Sequence, residues 1–152
     1  MDELIQQALP DLPGYANRVR TRNPRRRLGE KPSQVLLAKQ LELQSLPPEF
    51  DLGQQERWTQ AIDADINGSQ ASDIEVVFIT TWERWYEGQR SVEAWQFHWV
   101  FLESTEAGWV IVKMFSKYSP YPGRELLPLV RDSTDDTMAE ALRLWLRDCQ
   151  AR

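Results

Sequence analysis

Residues 74–86, 92–103 and 109–117 are dense in Val, Ile, Phe, Trp and Thr, and only short polar loops holding Gly88 and Gly108 separate them. Runs this rich in β-branched and aromatic residues favour extended chain. Loops this short turn consecutive strands back on each other. The stretch predicts an antiparallel meander. Pairing Tyr86 with Val92 sets Ile79 beside Trp99 and Val77 beside Phe101. Pairing Ser104 with Trp109 sets Phe101 beside Val112 and Trp99 beside Met114. Both registers gather Val77, Ile79, Phe97, Trp99, Phe101, Val110, Val112 and Met114 on one face, the predicted core face.

A helix should cover that face. After Ser133-Thr134-Asp135-Asp136, Met138, Ala141, Leu142, Trp145, Leu146 and Cys149 recur at helical spacing, while Glu140, Arg143, Arg147 and Asp148 fall on the opposite side. Asp2 to Leu9 reads as a short helix stopped by Pro10. Residues 10–32 hold four prolines and two glycines and read as an extended connector. Residues 34–46 have helical propensity, but the alternation Leu41-Glu42-Leu43-Gln44 between flanking prolines favours a strand. Gln54 to Ile62 reads as a helical turn or two. The expected fold is α+β: an antiparallel meander of about four strands, covered by a C-terminal amphipathic helix, with an irregular basic N-terminal arm. Residues 1–32 would form the helix and arm, and 33–152 a single domain.

A chain of 152 residues suits one domain and buries enough surface to need no staples. Its single cysteine, Cys149, excludes an intrachain disulfide and any Cys-rich metal site, and falls on the apolar stripe of the last helix. No apolar stretch is long enough to span a membrane, and no signal-peptide core precedes Leu4, so the chain as it stands reads as soluble. The net charge of −5 hides an asymmetry. Residues 14–31 carry seven cations against Glu30, a net +6, which leaves −11 for the rest. A basic arm on an acidic body implies a partner for the arm, or an arm that docks on the body itself.

The only histidine, His98, lies in VEAWQFHWVF at 92–101. With Trp99 facing the core, His98 falls on the other, mixed face, between Thr80 and Phe115, with Phe78, Trp82, Gln96, Val100 and Lys113 around it. No acid can be placed beside it. It therefore reads as a half-buried structural residue bonded to Thr80 or a backbone carbonyl, and one imidazole makes a poor start for zinc. The hairpin TTWERWYEGQRSVEAW sets Trp82, Trp85, Tyr86 and Trp95 among Glu83, Glu87 and Glu93. In the register above Glu83 faces Trp95, and Trp85 faces Glu93. Such a cluster suits an interface, a sugar or a cation; Glu83 and Glu93 as a glycosidase pair would need a cleft that a hairpin tip does not supply. Asp63, Asp65 and Asn67 open like a calcium loop, but position 12 is Ile74, which makes this a weak metal candidate. Arg18, Arg20, Arg22, Arg25, Arg26 and Arg27 could dock on an anionic membrane. With Tyr15 as the arm's only aromatic and no reading helix, nucleic acid is disfavoured. Nucleotide-loop and catalytic-elbow motifs are absent, and no cofactor is implied.

Three pieces, LPDLPGYANRV at 9–19, VFITTWERWYEGQ at 77–89 and LRLWLRDCQA at 142–151, resemble an uncharacterised group of cyanobacterial proteins. They cover about a fifth of the chain, and none is a chemical motif. In that group an N-terminal anchor or signal often precedes the first piece. The resemblance implies a membrane-associated domain with Arg18 to Arg27 near the bilayer, and favours the strand at 34–46. The leading expectation is a non-enzymatic binding or assembly domain, peripheral to a membrane or a protein complex. The second is a small-ligand binder using Phe78, Thr80, Trp82, His98 and Phe115 as a wall, and the third a hydrolase using His98 or Glu83. A sheet with two partly apolar faces and one covering helix needs a further cover, from residues 34–62 or from a second subunit in a homodimer.

Overall fold

The computed structural model describes residues 1–22, 33–41, 74–121 and 130–152. Two N-terminal helices, α1 (Asp2–Ala8) and α2 (Leu12–Arg22), precede the strands β1 (Gln34–Leu41), β2 (Ile74–Glu87), β3 (Arg90–Thr105), β4 (Gly108–Tyr118) and β5 (Arg131–Asp132). The C-terminal helix α3 (Thr137–Gln150) ends the chain. The strands form one antiparallel sheet in the order β1-β2-β3-β4-β5. The expected α+β meander with a covering C-terminal helix is observed, with five strands. The expected helix at Gln54–Ile62 and residues 42–46 lie outside the described residues.

The connector expected at 10–32 is corrected: Leu12–Arg22 is helical. Pro13 stands in the first turn, where its missing N–H is tolerated. Leu12, Ala16 and Val19 recur at helical spacing and are buried, and tertiary packing of that stripe overrides the weak propensity of a Pro-Gly start. α1 and α2 join α3 over one face of the sheet. Ile5, Leu12, Val19, Met138, Leu142 and Trp145 pack there with Val77, Ile79, Val100, Leu102 and Met114. Polar bonds pin the helices together: Tyr15 Oη donates to Asp148 Oδ2 (3.0 Å), and Trp145 Nε1 to Asp11 Oδ2 (3.1 Å).

The register differs from the expected one by a single residue. β2 and β3 close at Glu87–Arg90, so Tyr86 meets Ser91, Ile79 meets His98 and Phe78 meets Trp99. Gly88, at φ +64°, is the first of two loop residues, a position where tight hairpins require positive φ. The β3–β4 tip is as expected, with Ser104 opposite Trp109, but an irregularity between Phe101 and Leu102 shifts the rest. Trp99 then faces Phe115, and His98 faces Ser116. The expected core face is therefore split between two faces. Val77, Ile79 and Met114 lie under the helices, whereas Phe78, Phe97, Trp99 and Phe101 form a separate cluster on the other side with Val112 and Phe115. Both faces of β2 and β3 are apolar, so hydrophobic alternation alone does not choose between adjacent registers.

The start of β1 is fastened by one side chain. Asn17 of α2 donates from Nδ2 to the Val35 carbonyl and accepts the Val35 N–H at Oδ1, both at 2.9 Å. Asn17→Ala should lower the unfolding free energy by about 1–3 kcal/mol in urea titrations, because it strands a part-buried donor and acceptor together. Arg18→Ala, at an exposed neighbouring position, should stay within about 0.5 kcal/mol of the parent.

Candidate functional site

The residues with most chemical potential sit on the helix-covered face, in a polar seam between two apolar clusters. One cluster is the core under the helices; the other is Trp85, Val92, Ala94, Tyr118 and Tyr121 near the β2–β3 hairpin. Trp85 meets Tyr118 and Tyr121 edge-on, with centroids 5.5 and 5.0 Å apart. Across the seam, Thr81 and Glu83 of β2, Gln96 and His98 of β3 and Ser116 of β4 all point inward and are buried.

His98 is corrected in face and in partners. It is 1% exposed, and neither Thr80 nor Phe115 touches it from its own side. Thr81 Oγ1 lies 2.9 Å from Nε2 and Ser116 Oγ 2.7 Å from Nδ1. Beyond them, Thr81 Oγ1 donates to Glu83 Oε2 (2.7 Å), and Ser116 Oγ meets Ser133 Oγ at 2.6 Å. The donors assign the tautomer. Thr81 gives its one proton to Glu83, so it accepts from His98 Nε2–H. Nδ1 then accepts from Ser116, and Ser116 accepts from Ser133. Every bond in the row points toward the carboxylate.

Glu83 is fully buried and is the hub of the seam. Arg20 Nη2 reaches Oε1 at 3.2 Å from α2, the Ser33 hydroxyl donates to the same oxygen, and Tyr118 Oη lies 3.5 Å away. The Gln96 amide, turned to satisfy both neighbours, donates to Glu83 Oε2 (2.5 Å) and accepts from Arg131 Nη2 (2.8 Å). Arg131 pairs in turn with Asp136 at the head of α3. Two carboxylates and two guanidiniums thus balance, which a seam removed from water requires. Burial, then the positive charges of Arg131 and Arg20, lower the His98 pKa to about 3, so the ring is neutral. Burial and the Glu83 charge raise that of the Tyr118 phenol.

Chemically the row holds a hydroxyl, an imidazole and a carboxylate, the parts of an acid–base relay. Its members are each 0–3% exposed, however, and both histidine nitrogens are occupied. A substrate would have to break the seam to reach them.

The other expected site residues divide. Trp82, Trp95, Thr80, Phe115 and Glu93 share the second face, whereas Glu83, Trp85 and His98 lie on the helix-covered side of the sheet, Trp85 in the cluster near the hairpin. The expected facings of Glu83 with Trp95 and of Trp85 with Glu93 are corrected to Glu83 with Ala94 and Trp85 with Val92. A Glu83–Glu93 pair is therefore impossible across the sheet, and His98 is no part of a ligand wall on the second face. Glu93 instead pairs with Arg84 at 2.7 Å. Beside that pair Trp82 stacks obliquely on Trp95, with centroids 4.8 Å apart, and Lys39 Nζ stands 5.6 Å from the Trp95 ring. Leu37, opposite Trp82, is 40% exposed and Tyr86 66%. Of the arm, Arg20 is spent on Glu83, Arg18 lies 4.5 Å over the Tyr15 ring, and Arg22 is exposed. Arg25, Arg26, Arg27, Asp63, Asp65 and Asn67 lie outside the described residues. Among the described residues no three side chains gather as metal ligands.

Sequence reasoning missed Thr81, Ser116, Ser133, Ser33 and Arg131, and it named Gln96 beside His98 but on the opposite face. A signal for the inner members exists: Thr81-x-Glu83, Gln96-x-His98 and Ser116-x-Tyr118 place polar groups at period two within otherwise apolar strands.

The neutral histidine sets a pH dependence. Unfolded, His98 titrates near 6.5; folded, it stays neutral down to about 3. Its contribution is therefore complete above pH 6.5 and is lost as pH falls from there toward 3. Between pH 7.5 and 5 the parent should lose about 2 kcal/mol relative to His98→Gln in chemical denaturation; parallel profiles for the two proteins would contradict the assignment. Glu83→Gln leaves the Arg20 guanidinium uncompensated and should cost about 3–5 kcal/mol by the same measurement.

No protein-family model, curated protein or solved structure matches this chain.

Proposed function

We propose that this chain is a non-enzymatic binding or assembly domain, peripheral to a protein complex, whose contact surface is the strip of Trp82, Trp95, Leu37 and Tyr86. One contrast carries this reading. The groups equipped for chemistry are sealed inside, while on the other face the half-buried Trp82 and Trp95, beside Lys39 and the Arg84–Glu93 pair, lie with the exposed Leu37 and Tyr86. Aromatic anchors within a charged rim are the usual anatomy of a protein contact. A membrane surface is the alternative partner: Arg20 is turned inward, and among the described residues of the arm Arg18 and Arg22 are exposed. Among the described residues no helix is long and apolar enough to cross a membrane.

The test compares the parent with Trp82→Ala/Trp95→Ala, checked for folding by circular dichroism, in affinity capture from native extract. Loss of anchoring tryptophans should weaken retention of a specific partner at least tenfold. Arg147→Ala, on the far side of α3, should leave it unchanged. Identical retention by the parent and the tryptophan variant would overturn the reading. Salt-sensitive sedimentation with anionic vesicles, abolished by Arg18→Ala/Arg22→Ala, would move the function to the membrane surface. Ester turnover abolished by His98→Gln would restore the hydrolase.

A further inference from the structure

The free edge of β1 gives a more specific contact than the aromatic strip. Among the described residues, the strand order leaves β1 hydrogen-bonded on one side only. At Val35 that edge is closed, because the Asn17 amide supplies one donor and one acceptor in the manner of a neighbouring strand. The same clip fixes the phase of the ladder. Val35 is opposite Glu83 and turns both backbone groups away from β2. Hydrogen-bonded and open pairs alternate along an antiparallel ladder. Counting along β2 from Glu83, the next open positions are Thr81 and Ile79, whose partners are Ala38 and Gln40. Ala38 and Gln40 therefore present N–H and C=O outward, two residues apart, which is the spacing an added strand needs.

A groove of about 500 Å³ runs beside this edge, with Ala38, Lys39 and Gln40 along one side and Leu9, Pro10 and Pro13 along the other. This volume lies in the usual range of ligand clefts. That wall also holds Gln6, which bonds the Gln40 side chain at 2.8 Å, but most of it is Leu9 and the two prolines, which lack an N–H. The wall thus offers apolar contact while the strand offers the hydrogen bonds. Beyond the edge stand the exposed Leu37 side chain and the Lys39 ammonium.

We propose that this groove takes an extended peptide segment of a partner protein, which adds to β1 as a further strand between the Asn17 clip and Leu41. Alternate side chains of such a strand point to opposite faces. One set meets Leu9, Pro10 and Pro13 and is apolar. The other lies beside Leu37 and Lys39 and carries an acidic residue that pairs with the ammonium. The inference rests on the binding-domain reading and names the form of the partner.

The test pans a random octapeptide phage library on the full chain and measures the selected peptides, fluorescein-labelled, by anisotropy. The expected peptides alternate apolar residues with a set containing Asp or Glu. N-methylation of the edge-facing amides should weaken binding at least tenfold, and of the intervening amides by less than threefold. Ala38→Pro, which removes one outward N–H, should do the same. Should Ala38→Pro not fold, Lys39→Glu serves in its place, and should turn the preference from acidic to basic peptides. Failure to enrich any peptide, or affinity indifferent to which amides are methylated, overturns the proposal. A dimer seen by sedimentation velocity and dissolved by Ala38→Pro or Lys39→Glu overturns it in favour of a second copy of this chain. Binding lost in Trp82→Ala/Trp95→Ala but indifferent to N-methylation and to Lys39→Glu overturns the edge site and leaves the binding-domain reading standing. Binding sensitive to N-methylation and indifferent to the tryptophans keeps the edge site and removes the aromatic strip.

Discussion

The structure turns on a carboxylate that has no access to water. Glu83 projects from the middle of β2 into the space under the helices, where an unpaired charge costs several kcal/mol. Its partners come from wherever the chain can supply them: Arg20 from α2, Ser33 before β1, Thr81 from its own strand, Gln96 from β3 and Tyr118 at the end of β4. Through Gln96 the same seam reaches Arg131 of β5 and Asp136 at the head of α3. The places of α2, of the start of β1 and of the last helix are thus all referred to one side chain.

A buried ionic seam is a weak source of stability, since apolar side chains of the same volume often serve as well. In this sheet it supplies what apolar packing lacks. Phe78, Phe97, Trp99 and Phe101 on one face and Val77, Ile79, Val100 and Leu102 on the other make either face of β2 and β3 acceptable as core. Sliding β3 by one residue would cost little in apolar contact. It would, however, turn His98 and Gln96 away from Thr81 and Glu83 and leave the carboxylate short of donors. The polar residues select the register.

The same ambiguity explains what was legible in the sequence. The meander, the strand at the start of 34–46 and the amphipathic C-terminal helix follow from composition and period, and stand. The face of His98 does not follow, because the hairpin length was set by apolar pairing, which both registers satisfy, rather than by Gly88, whose positive φ closes the turn two residues wide. Once the register is one residue off, Thr80 replaces Thr81, Phe115 replaces Ser116, and Glu83 faces Trp95 in a hairpin-tip cluster instead of Ala94. α2 was missed for a local reason: Pro10, Pro13 and Gly14 mask a stripe of only three apolar residues. The division between a sealed face and an aromatic one, on which the functional reading depends, became visible only with the register.

The span of the Glu83 contacts also orders the assembly of the fold. The hairpins β2–β3 and β3–β4 close over loops of a few residues and can form early. Arg20 and Ser33 reach Glu83 across sequence separations of 63 and 50 residues, and such contacts carry a large loop-closure entropy. Loop closure of that size places them after the local hairpins in the order of assembly. Interactions made that late act mainly on the unfolding rate. The carboxylate that selects the register within the meander thus gains, through Arg20 and Ser33, a latch on the folded chain, which lengthens the time the finished domain remains closed.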